Sequence, residues 1–210
     1  MTPASKTTKK YPIINNEDYA WGLAINSVGH QSIAENESAL GRNCDRFESF
    51  PILIKLIDAK DNLSVQVHPD NDYAMRVEGE YGKTEMWYVM NAEKGAKLVS
   101  GFNRDVTPEE FEEAIVNKNI ESMLNYENVQ TDDVFFIPAR KIHALGAGCM
   151  VAEIQQTSDT SYRVYDWDRI DRYGMQRELH IDEALATIDF KKEGSGKVKY
   201  DKNTKNATVN

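Results

Sequence analysis

Short apolar stretches separated by turn residues recur along residues 50–156 and predict a series of β-strands. Phe50–Ala59 is rich in β-branched and apolar side chains, and Leu63–His68 alternates strictly, with Asp61 and Asn62 between them as a turn. This pattern predicts the two strands of a hairpin. Further short strands are predicted at Met86–Met90, Lys97–Phe102, Val134–Pro138 and Met150–Gln155. Strands spaced this closely favour a β-sandwich or a barrel.

Two helical patterns interrupt the strands. Thr107 is placed to cap a helix, with Pro108 in the first turn and Glu110 completing a capping box. The apolar positions that follow predict one buried helix face, formed by Phe111, Ala114, Ile115, Met123 and Leu124. A second helix is predicted near Ile181–Ile188 from residue propensity. The fold class is therefore mainly β with a few helical insertions.

The length of 210 residues and an apolar content of 40% predict a single core-forming domain. We expect a mobile lead at residues 1–10, a globular part at 11–190 and a Lys-rich polar segment at 191–210. No apolar run approaches the ~20 residues of a membrane-spanning helix, so no membrane association is expected. No apolar stretch follows the basic residues at the start, which predicts no secretory signal and a cytoplasmic location.

Acidic side chains dominate the composition. The chain carries 34 Asp plus Glu against 25 Lys plus Arg, a formal charge of −9. Both ends are basic, with +3 over residues 1–10 and +4 over residues 191–210, which leaves −16 on residues 11–190. A body this acidic repels the phosphate backbone, so nucleic acid is not an expected partner. An anionic small molecule would need basic side chains that converge locally.

Four polar residues have a spacing that predicts a divalent metal site. Gln66 and His68 are two residues apart in an alternating strand, so both side chains project from one face. Glu85 begins the next strand, and His143 follows a later one. Two imidazoles, a carboxylate and an amide oxygen suit a metal ion of intermediate hardness, with zinc as the first candidate.

Four segments resemble, in the same order, the type I phosphomannose isomerases of the cupin superfamily, particularly their short bacterial form. They are Ser64–Asp70, Gly82–Tyr88, Ile137–Gly146 and Glu153–Trp167. The resemblance covers about residues 50–190 and implies a cupin, or jelly-roll, barrel, with Gln66 at the first cupin histidine and Arg140 at a usual glycine. Tyr19–Gly22 weakly resembles an N-terminal Trp-Gly motif. The family continues into a second β-barrel lobe where this chain has its Lys-rich segment.

The resemblance implies an enzyme that interconverts mannose 6-phosphate and fructose 6-phosphate through an enediol. It also implies one Zn²⁺ per chain, bound by Gln66, His68, Glu85 and His143. A non-catalytic cupin that senses sugars or sugar phosphates is the alternative. An iron cupin oxygenase is a weaker one, because four protein ligands leave few open positions for dioxygen and substrate.

Roles for further residues follow from the same resemblance. Arg163 matches the catalytic arginine, and its charged, fork-shaped guanidinium suits a developing oxyanion. Lys83 and Glu153 match active-site positions, and either could serve as the base if burial moves its pKa toward neutrality. Glu153 could equally orient a ligand histidine. The basic side chains expected near the substrate phosphate are Arg140, Lys141 and Arg169.

Overall fold

The structure, a computed structural model, describes residues 14–16, 20–25 and 52–201. The predicted lead at residues 1–10, Tyr19 of the Trp-Gly motif, and residues 202–210 lie outside this part. The strands are β1 (Ile14–Asn16), β2 (Ala20–Ile25), β3 (Ile52–Ala59), β4 (Val65–Val67), β5 (Glu85–Ala92), β6 (Lys97–Phe102), β7 (Leu124–Asn128), β8 (Val134–Ile137), β9 (His143–Ala144), β10 (Cys149–Gln156) and β11 (Tyr162–Tyr165). The helices are α1 (Asn71–Val77), α2 (Pro108–Val116) and α3 (Ile181–Leu185), with a 3₁₀ turn at Ile120–Met123.

The strands form two antiparallel sheets. The first has the order β1-β2-β3-β10-β5-β8, and the second has the order β11-β4-β9-β6-β7. The prediction of a mainly β fold with a few helices is confirmed. Within the described ranges, no helix is long and apolar enough to cross a bilayer.

The predicted hairpin between β3 and β4 is wrong. β3 pairs with β2 on one side and with β10 on the other, whereas β4 pairs with β11 and β9 in the second sheet. Both edges of β3 are therefore occupied. The turn around Asp61 and Asn62 carries the chain from one sheet to the other, which the residue pattern of the two strands does not distinguish from a hairpin turn.

Two apolar clusters show which strand faces point inward. The cluster between the sheets includes Trp87, Val89, Leu98, Phe135 and Val151. The second cluster lies on the other face of the second sheet, under the helices, and includes Val65, Val67, Phe111, Ile142 and Val164. Because side chains alternate along a strand, Gln66, His143 and Arg163 then point between the sheets. The second sheet thus buries apolar side chains outward and presents polar ones inward.

Helix α2 begins as predicted and ends earlier. Thr107 accepts from the Glu110 backbone N–H, and the Glu110 carboxylate accepts from the Thr107 N–H, so the capping box is confirmed. The prediction that Met123 and Leu124 continue the helix face is wrong. The helix ends at Val116, and Lys118 adopts a left-handed φ of 54°, which stops the helical repeat. The two residues are still buried in the outer cluster.

The second predicted helix is confirmed in a shorter form at Ile181–Leu185, with Ala184 buried. It contacts β11 through the His180 backbone N–H, which donates to the Arg163 carbonyl at 2.8 Å. This contact fixes the start of α3 beside the inward-pointing Arg163.

Residues 193–200, called the strap below, run along the free edge of β8. The Phe136 N–H donates to the Gly196 carbonyl, and the Val198 N–H donates to the Val134 carbonyl, both at 2.8 Å. The Tyr200 hydroxyl donates to the Asp132 carbonyl at 2.5 Å. The sequence predicts a mobile end here because the segment is polar. A segment can pair with a strand edge through its main chain without any apolar pattern, so the sequence does not reveal this contact.

Candidate metal centre

The predicted ligands come from strands β4 and β9 of the second sheet and from the start of β5 in the first. Gln66 in β4 lies directly opposite His143, the first residue of β9, and His68 follows β4 immediately. Glu85 is the first residue of β5 in the facing sheet. Nitrogen ligands from one sheet therefore meet a carboxylate from the other.

The ligand atoms of His68, Glu85 and His143 lie within 4.8 Å of one another, and all three residues are buried. His68 Nε2 lies 3.3 Å from Glu85 Oε1, and His143 Nε2 lies 3.7 Å from Glu85 Oε2. The two imidazole centroids are 4.7 Å apart. The structure thus brings three of the four predicted ligands into one cluster.

Backbone carbonyls fix the orientation of both imidazoles. His68 Nδ1 donates to the Thr160 carbonyl at 3.0 Å, and His143 Nδ1 donates to the Lys141 carbonyl at 2.8 Å. In a neutral imidazole this leaves the Nε2 lone pair available. Both Nε2 atoms point at Glu85, which is the arrangement that metal-binding histidines use.

The charge state of the cluster favours cation binding. Burial, followed by the neighbouring Lys83, lowers the pKa of His68 to about 3, and burial lowers the pKa of His143. Burial acts to raise the pKa of Glu85, but Lys83 and then His68 hold it well below its usual value. The cluster is therefore two neutral imidazoles and one carboxylate.

Lys83 is the cation nearest to the cluster. Its Nζ lies 2.6 Å from Glu85 Oε1, as an ion pair without hydrogen-bond geometry, and 3.1 Å from His68 Nε2. Burial acts to lower the pKa of Lys83, but Glu85 and Glu153 raise it above its usual value. With Glu85 as its ion-pair partner, Lys83 carries a proton.

The cluster fits a divalent metal ion on its own geometry. Both oxygens of Glu85 and Nε2 of His143 are buried and lack a hydrogen bond within the part of the chain that the structure describes. Buried polar atoms rarely remain unpaired, and a place for a bound ion is one of the standard explanations. Imidazole nitrogen and carboxylate oxygen are the donor set that zinc accepts.

Gln66 and Arg163 extend the cluster along the inner face of the second sheet. Arg163 in β11 lies opposite Gln66, which lies opposite His143, which in turn lies opposite Ser100 in β6. Residues paired in this way have Cβ atoms about 4.5–5.5 Å apart on one face. Gln66, half-buried, is thus placed between the metal cluster and the arginine.

Glu153 lies on the facing sheet, between Lys55 and Trp87 in the strand register. Its Oε1 accepts from Lys55 Nζ at 2.9 Å, and its Oε2 accepts from Trp87 Nε1 at 3.0 Å. The Trp87 ring packs edge-on against His143, with centroids 5.5 Å apart. The sequence analysis does not single out Lys55, although a lone lysine within the apolar run of β3 is a usable signal.

Two arginines bind one carboxylate near Arg163. Asp166 accepts hydrogen bonds from Arg169 and from Arg177, the latter through Nη2 at 2.5 Å. Burial lowers the pKa of Arg163, and the nearby charges of Arg177 and Arg169 add to this effect. Arg163, Arg169 and Arg177 against Asp166 give a net charge of +2, which is a local excess of positive charge in an acidic chain. Arg177 is not predicted from the sequence.

Comparison with known proteins shows which proteins the chain resembles. Residues 15–96 match the model of the phosphomannose isomerase type I catalytic domain. A mannose-6-phosphate isomerase from Streptococcus mutans is 43% identical over 193 residues, which cover 90% of this chain and 60% of that protein. The chain is a relative of the type I phosphomannose isomerases. It spans 45–60% of the length of the four curated isomerases that it matches.

Solved structures of phosphomannose isomerases share the fold. The mannose 6-phosphate isomerase from Bacillus subtilis superposes with a TM-score of 0.68 at 36% identity, covering 76% of this chain and 50% of that one. A zinc-bound holo mannose 6-phosphate isomerase superposes with a TM-score of 0.62 at 14% identity, covering 87% and 70%. The two-sheet architecture described above is therefore the cupin barrel of this family, as predicted.

Two of the residues predicted to bind phosphate contact other parts of the chain instead. Arg140 is exposed and its Nε donates to the Thr187 carbonyl at 3.1 Å, in a surface cleft between α1 and α3. Lys141 is buried and its Nζ donates to the Gly194 carbonyl of the strap. Arg169, the third, belongs to the arginine group at Asp166. The three side chains do not share a contact within the described residues.

Arg140 also has a left-handed backbone, with φ of 74°, at a position where cupins usually have glycine. This conformation costs an L-residue about 1–2 kcal/mol, and glycine avoids most of that cost. Arg140→Gly is therefore expected to be more stable than Arg140→Ala by about 1 kcal/mol, since both variants lose the contact with Thr187. Urea unfolding of the two variants measures the difference, and equal midpoints would contradict backbone strain at this position.

Proposed function

We propose that the chain is a zinc-dependent aldose–ketose isomerase that interconverts mannose 6-phosphate and fructose 6-phosphate through an enediol. The observation that carries this proposal is the buried His68–Glu85–His143 cluster beside Lys83, in which both Glu85 oxygens and His143 Nε2 lack a hydrogen bond among the described residues. The family relationship and the names of the curated relatives support the substrate pair. The zinc-bound structure of a similar fold supports the metal.

One Zn²⁺ would be held by His68, Glu85 and His143, with Gln66 as the fourth ligand. When bound, the ion supplies a Lewis acid that polarises the oxygens on carbons 1 and 2 of the open-chain sugar. The two Nδ1 hydrogen bonds keep the imidazoles in the tautomer that binds metal. The surrounding barrel keeps the ligands dry, which strengthens their hold on a cation.

Arg163 stabilises the enediolate in this mechanism. Its Nη1 donates to the Glu178 carbonyl at 2.8 Å, and its backbone N–H donates to His180 Nδ1 at 3.2 Å. These two bonds hold the main chain and one end of the guanidinium in position. Its Nε is buried and has no hydrogen-bond partner among the described residues. A preoriented guanidinium with a spare donor suits an oxyanion that forms only during the reaction.

Lys83 and Glu153 are the groups that handle protons. Lys83 Nζ carries a proton beside the ligand cluster and can donate it to a sugar oxygen. Glu153 is a buried carboxylate that Lys55 holds in place at 2.9 Å, and it lies in the register next to Trp87 rather than in the ligand cluster. It is the candidate base that moves the proton between carbons 2 and 1.

The phosphate binds at the arginine group rather than at Arg140 or Lys141. Arg169 and Arg177 bind Asp166, and their charges act on Arg163, which pairs with Gln66 in the strand register. Guanidinium pairs bind phosphate oxygens in bidentate fashion. Lys141 is committed to the strap, and Arg140 to the surface cleft.

A coupled assay with mannose 6-phosphate tests the proposal on the 210-residue chain. Turnover is expected with the zinc-loaded chain, should disappear after treatment with a chelator, and should return when zinc is added back. The controls are glucose 6-phosphate as substrate and heat-treated protein. A pure, zinc-loaded chain that binds mannose 6-phosphate in calorimetry without converting it would reject the isomerase and support the sugar-phosphate sensor.

A further inference from the structure

We propose that the strap, residues 193–200, is a working part of the metal centre, because it holds Lys141 and thereby the carbonyl that orients His143. The inference concerns metal binding and not turnover. It rests on the zinc site of the proposed function, and a chain that binds zinc without isomerising sugar would leave it intact.

The strap binds the side chain of Lys141 inside the protein. Lys141 Nζ donates to the Gly194 carbonyl at 2.5 Å and lies 3.4 Å from Glu193 Oε2, and only 4% of the side chain is exposed. A buried ammonium without partners is strongly unfavourable. Loss of the strap would therefore force Lys141 out toward water, together with its main chain.

The main chain of Lys141 orients a metal ligand. The Lys141 carbonyl accepts the Nδ1–H of His143 at 2.8 Å, and this bond leaves Nε2 facing Glu85. The next carbonyl, that of Ile142, accepts from the Gly101 N–H at 2.8 Å and attaches this stretch to β6. Movement of Lys141 would thus change the tautomer and the direction of the His143 ring. His143 would remain available as a ligand but would be poorly oriented for the metal.

A second strap contact binds the residue that lies opposite His143 in the sheet. Ser100 lies directly opposite His143 in the sheet, and its hydroxyl donates to the Ser195 carbonyl of the strap at 2.6 Å. The adjacent carbonyls of Gly194 and Ser195 thus bind Lys141, two residues before His143, and Ser100, opposite His143 in the sheet. Outer partners of this kind affect metal affinity by about 10–100-fold in known sites.

Two glycines of the strap provide a matched pair for testing this role. A Cβ added at Gly196 would lie 2.2 Å from the Phe136 carbonyl oxygen, and Gly196 has a left-handed φ of 71°. A Cβ added at Gly194 would meet no atom within 4 Å. Gly196→Ala should therefore displace the strap from β8, and Gly194→Ala should leave it bound.

The first experiment measures strap position and zinc affinity in both variants. We expect Gly196→Ala to lose amide exchange protection at Phe136 and Val198 and to bind zinc about 10–100-fold more weakly in competition with a chromogenic chelator. Gly194→Ala should stay within twofold of the parent in both measurements. A detached strap with unchanged zinc affinity would overturn the proposal.

The second experiment decides the case if Gly196→Ala fails to fold or keeps the strap in place. Lys141→Met removes the donor to Gly194, and Lys192→Met is the matched control at an exposed lysine outside the strap. In the metal-free chain, nitrogen chemical shifts should show one neutral tautomer of His143 in the control and a mixture of both in Lys141→Met. Zinc affinity should fall about tenfold in Lys141→Met alone. A single tautomer with unchanged affinity would overturn the proposal.

Discussion

Replacing Glu85 with glutamine is expected to abolish stoichiometric zinc binding and, with it, isomerase turnover. Glu85 is the single carboxylate of the cluster and lies between His68 Nε2 and His143 Nε2. The amide keeps the size of the side chain and removes the negative charge that attracts the cation. Because loss of an outer partner already costs about 10–100-fold in metal affinity, loss of a charged ligand should exceed about 100-fold.

Zinc content by mass spectrometry and competition with a chelator measure this effect. Glu112→Gln, an exposed position on α2, is the matched control and should bind zinc like the parent. Glu85→Gln also leaves the buried Lys83 without its ion pair, so far-UV circular dichroism is needed to show that the fold persists. A folded Glu85→Gln variant with full zinc would remove Glu85 from the ligand set.

The strands of this barrel could be predicted from sequence, whereas their partners could not. Strands β3, β5, β6, β8 and β10 have strong apolar patterns, and the structure has all of them. The pairing of β3 with β10 joins residues about a hundred positions apart and has no local signature. The apparent hairpin of β3 and β4 is wrong for the same reason, because a short turn does not show in which sheet the next strand lies.

The inner face of the second sheet reverses the usual relation between polarity and exposure. In β11, Tyr162 and Val164 are buried under the helices, whereas Arg163 points between the sheets. Polar side chains can fill a barrel interior only if they bind one another, a metal or a substrate. The prediction that Gln66 and His68 are metal ligands therefore rests on their spacing and on the donor types that they share with Glu85 and His143, and not on the alternation alone.

Residues outside such motifs were missed because their partners are distant in sequence. Lys55 contacts Glu153 across 98 positions, and Lys141 contacts Gly194 across 53. Lys141 was expected at the phosphate because it is a basic residue beside a ligand histidine, and only the fold shows that its side chain is bound to the strap. Charge and proximity in sequence identify the neighbourhood of a site, and the packing decides what each side chain contacts.

Lys83→Met is expected to separate proton transfer from metal binding, with turnover about 10²–10⁴-fold lower and zinc bound at least as tightly as in the parent. The lysine contacts two of the ligand residues, Glu85 Oε1 at 2.6 Å and His68 Nε2 at 3.1 Å, so its ammonium opposes a cation there. Methionine fills similar space without charge or proton.

The measurements for Lys83→Met are kcat with mannose 6-phosphate and the zinc dissociation constant, both on the zinc-loaded protein so that Glu85 keeps a cationic partner. Lys94→Met, at an exposed position, is the matched control and should change neither value. If zinc affinity and turnover fell together, Lys83 would support the ligands and would not transfer the proton. If turnover persisted, Glu153 would have to handle the proton without it. The predicted outcome, zinc retained and turnover lost, follows from the placement of one charged amine where a metal ion and a sugar oxygen would meet.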